Sequence, residues 1–238
     1  MAYSYYKSTV YKIVQETDLV RRFFFKVPDE IEFNFKAGQF IMLNLPIESK
    51  FTNRSYSIAS APNNENTFEL AIVLNPTGLG TPYLWENVEV GSEIETSKTL
   101  GKFIITEPIE NDIALICTGT GIAPLRSMVH HILENQISHK KIYMIFGNRF
   151  EKDIIYRKEM EEMEHIHPSF EFIPVLSRDN EGWKGKSGYV HAVYEEIFKD
   201  KRPATFYMCG WRDMLVDARA RLEKMGYDKK QIRFESYD

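Results

Sequence analysis

The chain changes rhythm once, and that change limits what it can fold into more than any other feature. Up to about residue 107 of 238, apolar and β-branched residues come in short runs: Ser8 to Val14, Val20 to Val27, Phe40 to Leu45 and Phe68 to Leu74. Such runs suit strands with one face buried. Turn residues separate them at Pro28-Asp29, Ala61-Pro62-Asn63-Asn64 and Asn75-Pro76-Thr77-Gly78. Many short strands at this spacing predict an antiparallel β-barrel over residues 1–108. Beyond it, the strand runs Ile113 to Cys117, Lys141 to Phe146, Phe170 to Leu176, Thr205 to Cys209 and Gln231 to Phe234 are separated by segments with helical spacing. One apolar stripe is Ile122, Leu125, Val129, Ile132 and Leu133; another is Val190, Val193, Tyr194 and Ile197. Strands alternating with helices predict an α/β domain with a parallel sheet over residues 109–238. The boundary falls near Glu107 to Asp112, where Pro108 and polar residues interrupt the pattern.

Composition narrows the function classes. The formal net charge is -4, and neither half is basic enough for a nucleic-acid or membrane surface. No run approaches the roughly 20 apolar residues of a membrane span, and the start MAYSYYKSTVYK lacks the apolar core of a secretory signal, so a cytoplasmic location is expected. Cys117 and Cys209 are the only cysteines, too few for a disulfide framework, a C-x-x-C metal site or an iron-sulfur cluster held by this chain alone. No metal site is expected elsewhere. His130 and His131 are adjacent and lack ligand spacing, His165 and His167 flank a helix end, and Glu159, Glu161, Glu162 and Glu164 read as a solvated helix face.

Three short stretches carry chemistry. In Arg54-Ser55-Tyr56-Ser57-Ile58-Ala59-Ser60, Arg54 offers a planar, permanently charged fork for a diphosphate. Tyr56 offers a flat ring for stacking, and Ser57 a hydroxyl that can donate to or accept from a ring nitrogen. The second stretch, Thr118-Gly119-Thr120-Gly121-Ile122-Ala123-Pro124, stands where a strand hands over to a helix. Glycines there permit a sharp turn and bring backbone N–H groups close to a diphosphate at the positive helix end. It departs from the ordinary dinucleotide fingerprint, since Pro124 stands near the third glycine and the next strand ends in Gly147-Asn148-Arg149, with no acidic residue for a ribose. A standard NAD dehydrogenase is therefore a poor fit. The third stretch is Cys209-Gly210.

Taken together and in this order, these motifs resemble those of the ferredoxin:NADP reductase superfamily of flavoenzymes over nearly the whole chain. The family's R-x-Y-S-x-x-S pattern is matched by Arg54, Tyr56, Ser57 and Ser60, and its phosphate turn before a short helix by Gly78-Leu79-Gly80-Thr81-Pro82-Tyr83-Leu84. The G-T-G-x-x-P pattern is intact, as is a Cys-Gly pair followed by Met, in Cys209-Gly210-Trp211-Arg212-Asp213-Met214. The resemblance implies an FAD-binding barrel followed by a nicotinamide-dinucleotide domain. It implies that Arg54 and the backbone N–H groups around Gly80 and Thr81 serve the FAD diphosphate, that Tyr56 stacks on the flavin, that Ser57 hydrogen-bonds near flavin N5, and that Ser55 and Ser60 belong to the same cofactor site. It places Cys209 beside the nicotinamide in a positional role, and an acidic residue, Glu235, near the flavin in the last strand. A terminal aromatic can cover the flavin ring; here Tyr237 is followed by Asp238.

The coenzyme and the acceptor follow from the same resemblance. Ser177-Arg178 stands where the family often places a serine and a cation on the 2′-phosphate of NADP, Lys184 or Lys186 could assist, and Arg149 is a further candidate for cofactor binding. The surrounding V-L-S-R-x(4)-W-x-G-x-x-G-Y-V pattern also resembles NADH-dependent oxygenase reductases, which keeps NAD(H) open. The leading expectation is an enzyme moving electrons between NADPH and a one-electron carrier, ferredoxin or flavodoxin. The alternatives are an NADH-dependent reductase component of an oxygenase, a free-flavin reductase, and a flavin electron-transfer subunit without turnover of its own. Arg21, Arg22, Lys98 and Lys102 are candidates for a patch that docks an acidic carrier.

Overall fold

The computed structural model describes residues 4–47, 50–178 and 181–237. The chain divides into two compact units, Met1–Ile105 with Arg126–His131, and Thr106–Leu125 with Ile132–Asp238.

The first unit contains β1 (Tyr5–Gln15), β2 (Val20–Lys26), β3 (Phe40–Ile47), β4 (Lys50–Ser57), β5 (Thr67–Val73), the helix α1 (Gly80–Asn87) and β6 (Glu93–Ser97). The strands form one six-stranded sheet in the order β4-β3-β6-β1-β2-β5, with the pairings antiparallel. Its edges meet just past β4, where Ile58 bridges Leu70 and the Ala59 N–H donates to the Glu69 carbonyl at 2.8 Å. The sheet thus curls on itself around alternate apolar positions, among them Phe23, Phe25, Ile41, Leu43, Phe68 and Leu70. Burying each such side chain contributes about 1.5–3 kcal/mol. Phe25 and Phe68 stack with centroids 4.9 Å apart. The expected apolar runs lie in β1, β2, β3 and β5. The strand β6, Glu-Ile-Glu-Thr-Ser, has almost no apolar signal, yet it lies inside the sheet between β3 and β1. A buried hydroxyl pair, Ser8 Oγ and Thr96 Oγ1 at 2.6 Å, satisfies its polar interior.

The second unit alternates β7 (Asp112–Thr118), α2 (Ile122–Glu134), β8 (Ile142–Asn148), α3 (Arg157–Ile166), β9 (Phe170–Leu176), the two-residue β10 (Lys186–Ser187), α4 (Val190–Ile197), β11 (Ala204–Gly210), α5 (Arg212–Met225) and β12 (Ile232–Ser236). All strands are parallel, in the order β10-β9-β8-β7-β11-β12. Ala114, Ile116, Ile145, Phe206 and Met208 on one face pack against Val193 and Tyr194 of α4 and Leu215, Ala218 and Leu222 of α5. From β7 the chain winds outward through β8, β9 and β10, and only then returns to place β11 on the other side of β7. The winding direction therefore reverses between β7 and β11, which makes their carboxyl ends the topological switch point. One expectation needs correcting on α3: Glu164 is not simply solvated, because its carboxylate accepts the Phe172 N–H at 3.1 Å. Among the described residues, no helix is long and apolar enough to cross a membrane.

Candidate functional site

In the first unit, β4 lies at the sheet edge with Arg54 opposite Leu43 and Tyr56 opposite Ile41. Directly opposed residues share a sheet face, so Arg54 and Tyr56 stand on the side whose β3 partners are fully buried, and Ser55 on the other, exposed. Tyr56 packs on that core. Burial pushes its phenol up to about 12, with the Arg54 guanidinium opposing, so the ring is neutral at physiological pH. The start of α1 lies against Arg54: a Cβ on Gly80 would stand 3.0 Å from Arg54 Cγ and 3.1 Å from Nε. Arg54 Nη1 donates to the Asn53 carbonyl at 2.8 Å, which orients the fork.

The first turn of α1 has no acidic residue and no side-chain cap, and its third residue, Pro82, has no N–H to satisfy. Uncapped N–H groups and a fixed cation thus converge on one spot, the arrangement that holds a phosphate. The Thr81 hydroxyl is already engaged, accepting the Asn75 N–H at 2.8 Å and donating to the Asn75 carbonyl at 3.2 Å. It fixes the turn and leaves the Thr81 backbone N–H for a ligand. Ser57 is buried at the end of β4. Ser60 lies apart from this group: its hydroxyl accepts the Glu69 N–H at 3.1 Å on the seam where the sheet closes.

In the second unit, β7 ends at Thr118, Gly119–Gly121 make one tight turn, and α2 begins at Ile122. Gly119 has φ +54°, in the left-handed region that glycine tolerates best. Gly121 has no room for a side chain: a Cβ would run into the Cys209 carbonyl oxygen and stand 2.9 Å from Gly210 N. Gly210, at φ +142°, is likewise closed in, by the Thr118 hydroxyl. That hydroxyl also accepts the Trp211 N–H at 3.4 Å. The ends of β7 and β11 are therefore keyed together at the switch point. Pro124 falls in the first turn of α2, where a missing N–H costs no helical bond.

Cys209 is fully buried, in register with Cys117 on one side and Glu235 on the other. Burial pushes its thiol well above the usual range, the Glu235 carboxylate adds to this, and a hydrogen bond with the Tyr237 side chain opposes it. The thiol is neutral, which suits a spacer and not a nucleophile. The Tyr237 N–H donates to the Gly210 carbonyl at 3.3 Å, so the chain's end is tied to the same strand end.

A second cluster lies at the ends of β8 and β9. The Asn148 carbonyl accepts both the Ser177 N–H at 3.0 Å and its hydroxyl at 3.2 Å, and the Arg149 carbonyl accepts the Arg178 N–H at 3.0 Å. Arg149 and Arg178, both exposed, are thereby neighbours across the sheet. Lys186 is also exposed, and its carbonyl accepts the Trp183 indole N–H at 2.9 Å.

Sequence reasoning passed over two residues on the same carboxyl edge, Tyr189 before α4 and Trp211 before α5, which are 73% and 66% exposed. An aromatic at a strand-to-helix junction was the available signal. It also misjudged Arg22, proposed for a docking patch, which pairs with Glu69 at 2.6 Å and Glu16 at 3.3 Å. Arg21 instead lies on the Trp85 ring and donates to the Trp85 carbonyl. Among the described residues, no group of three or more His, Cys, Asp or Glu side chains could hold a metal.

Comparison with known proteins agrees with this two-domain fold. The sequence model for the oxidoreductase FAD-binding domain matches residues 7–105, and that for the oxidoreductase NAD-binding domain matches residues 115–220. The chain is 34% identical over 228 residues to ferredoxin--NADP reductase B of Sorangium cellulosum, covering 92% of both chains. It is 29% identical to the glycine betaine monooxygenase reductase subunit of Chromohalobacter salexigens, over 95% of this chain but 62% of that one. The crystal structure of a ferredoxin NADP+ reductase from Neisseria gonorrhoeae with bound FAD and NADP superposes with a TM-score of 0.84 at 25% identity, covering 98% of each. With the FAD-binding and NAD-binding domain models matched in this order and a relative 34% identical over 92% of both chains, the chain belongs to the ferredoxin:NADP reductase superfamily of electron-transferring flavoenzymes.

Proposed function

We propose that the protein oxidises NADPH and passes the electrons to a one-electron carrier protein, ferredoxin or flavodoxin. The observation that supports the coenzyme choice is the placement of Arg149 and Arg178 beside Ser177, two exposed guanidinium groups on adjoining strand ends, with no acidic residue in Gly147-Asn148-Arg149 or Ser177-Arg178. A ribose 2′-hydroxyl would call for an acidic partner there, and a 2′-phosphate calls for cations.

The residues present fit FAD, because Gly80 leaves against Arg54 a space that a Cβ would fill. Arg54 and the N–H groups of Gly80 and Thr81 would hold its diphosphate, Tyr56 would support the ring, and Ser57 would offer a hydrogen bond to it. When bound, FAD accepts a hydride from reduced nicotinamide and releases electrons singly. In the second unit, Gly119–Gly121 would hold the coenzyme diphosphate at the start of α2. Cys209, small and neutral, would bound the nicotinamide position, kept protonated by burial first and by the Glu235 carboxylate second, with Tyr237 hydrogen-bonded to it.

A second reading, an NADH-dependent reductase component of an oxygenase, is supported by the match of 95% of the chain to the glycine betaine monooxygenase reductase subunit. Steady-state reduction of ferredoxin, flavodoxin, an oxygenase iron-sulfur protein and free flavin, with NADPH and NADH in parallel, separates the readings. A preference for NADPH with a carrier protein supports the first. A preference for NADH with the oxygenase protein supports the second, and reduction of free flavin alone supports a flavin reductase.

A further inference from the structure

The segment that follows the flavin motif is held by two residues of α2 whose chemistry the cofactor roles do not use. Arg126 is 7% exposed, and its Nη1 donates to the Ala59 carbonyl at 2.7 Å and to Glu69 Oε2 at 3.4 Å. Ser127, fully buried, donates its hydroxyl to the Ser60 carbonyl at 2.6 Å. Glu69 is 3% exposed and also receives Arg22 through Nε at 2.6 Å and Nη2 at 3.2 Å. Glu69 in turn holds the same two residues through its backbone, its carbonyl accepting the Ala59 N–H and its N–H donating to the Ser60 hydroxyl. Ala59 and Ser60 are thus fixed at both carbonyls, at one N–H and at one hydroxyl. Packing alone does not call for this arrangement, since an apolar residue of Arg126's size would fill the volume without the cost of desolvating a charge. A buried fork on a carbonyl specifies position.

The helix that supplies these groups is the one that leaves the dinucleotide turn. Its first turn, Ile122–Leu125, follows Gly119–Gly121 directly, and Arg126 is the next residue. We propose that Arg126 and Ser127 are positioning residues for the flavin-motif segment, and that through them the flavin responds to an adenine nucleotide held at the Gly119–Gly121 turn. This rests on the cofactor assignments above. The coupling needs no contact between nicotinamide and flavin, so a nucleotide without nicotinamide elicits it.

The test uses the FAD-loaded full chain and adenosine diphosphate as probe. The readouts are the rate of FAD release and the visible circular dichroism of the flavin, with probe binding followed by calorimetry. In the wild type, saturating probe changes FAD release about fivefold or more, a typical coupling between two sites, and alters the dichroism. In Arg126→Ala and Ser127→Ala, the probe still binds and the ratio of rates falls toward one. Arg126→Lys, which keeps the charge facing Glu69 but loses the fork, falls between. Because Arg126→Ala leaves the buried Glu69 carboxylate with Arg22 and without its second guanidinium, and can unfold the chain, Ser127→Ala and Arg126→Lys decide the matter if it does. A wild-type ratio of one, a probe that does not bind, or a ratio unchanged in the variants overturns the proposal. A wild type that takes up no FAD overturns the cofactor reading as well, which separates the two failures.

Discussion

Arg54 and Gly121 occupy comparable places, each against the chain where a helix begins, but they work by opposite means. Arg54 contributes a guanidinium on an antiparallel edge strand, and the start of α1 has a glycine so that this side chain has room. Gly121 contributes the absence of a side chain at the end of a parallel sheet, where the neighbouring strand's main chain occupies the space a Cβ would need. The first unit presents charge and a ring, which side chains can vary, whereas the second presents oriented N–H groups, which only the fold can supply. Substitutions should therefore act on affinity in the first and on the integrity of the site in the second.

The sharpest test exchanges the two glycines for alanine. At Gly121 the obstacle is backbone, so Gly121→Ala should displace β11 and cost about 3 kcal/mol, the upper range for overpacking, or roughly a hundredfold in kcat/KM for the coenzyme. FAD content should stay near normal. At Gly80 the obstacle is the flexible Arg54 side chain, so Gly80→Ala should lower FAD affinity by roughly tenfold or less. Equal effects of both variants on both ligands would dissolve the contrast. Next in size, Arg54→Ala should weaken FAD binding by roughly tenfold to a hundredfold, the loss of a charge-assisted bond of about 1.5–3 kcal/mol. Equilibrium dialysis would measure it, and rising salt should weaken binding in the wild type more than in the variant.

A smaller effect separates the coenzymes. Arg178→Ala should lower kcat/KM for NADPH about tenfold while changing that for NADH little. An unchanged ratio would remove the Arg149 and Arg178 pair from the site and favour the NADH-linked reading. A separate expectation, involving no ligand, is the dependence of stability on pH in the first unit. Burial raises the phenols of Tyr56 and Tyr6 from about 10 to about 12. Both states hold these protons below pH 10; above it, the unfolded chain releases them first. Stability should therefore be full below about pH 10 and fall as the pH rises toward about 12. Alkaline unfolding followed by circular dichroism should show this slope, and Tyr56→Phe should flatten part of it.

What could be read from the sequence divides along the same line. Arg54, Tyr56, Gly119 and Gly121 announce themselves because local rules demand them: an alternating strand, a charged fork, a tight turn before a helix. The strand β6 was hidden because its buried positions include Thr96 and Ser97, satisfied by partners that no local pattern reveals. The contacts of the Ser60 and Thr81 hydroxyls were hidden for a related reason, their partners Glu69 and Asn75 coming within reach only once the chain folds back. Arg22 looked like a surface cation and is instead one arm of a buried pair with Glu69, nearly fifty residues away. The alignment of Cys117, Cys209 and Glu235 across three strands depends on strand order, which periodicity does not encode.

The keyed ends of β7 and β11 also say how this site can change over generations. The space a Cβ would take at Gly121 belongs to Cys209, and the space one would take at Gly210 belongs to Thr118. A side chain at Gly121 requires the main chain of β11 to shift, and one at Gly210 requires the Thr118 side chain to give way. The two glycines therefore resist replacement: a library built at Gly121 and Gly210 one codon at a time should return mostly glycine. By contrast, Arg149 and Arg178 are exposed at strand ends and their side chains carry no such interlock. On the proposed assignment, drift in coenzyme preference, natural or directed, has an easier route through the arginines than through the glycines.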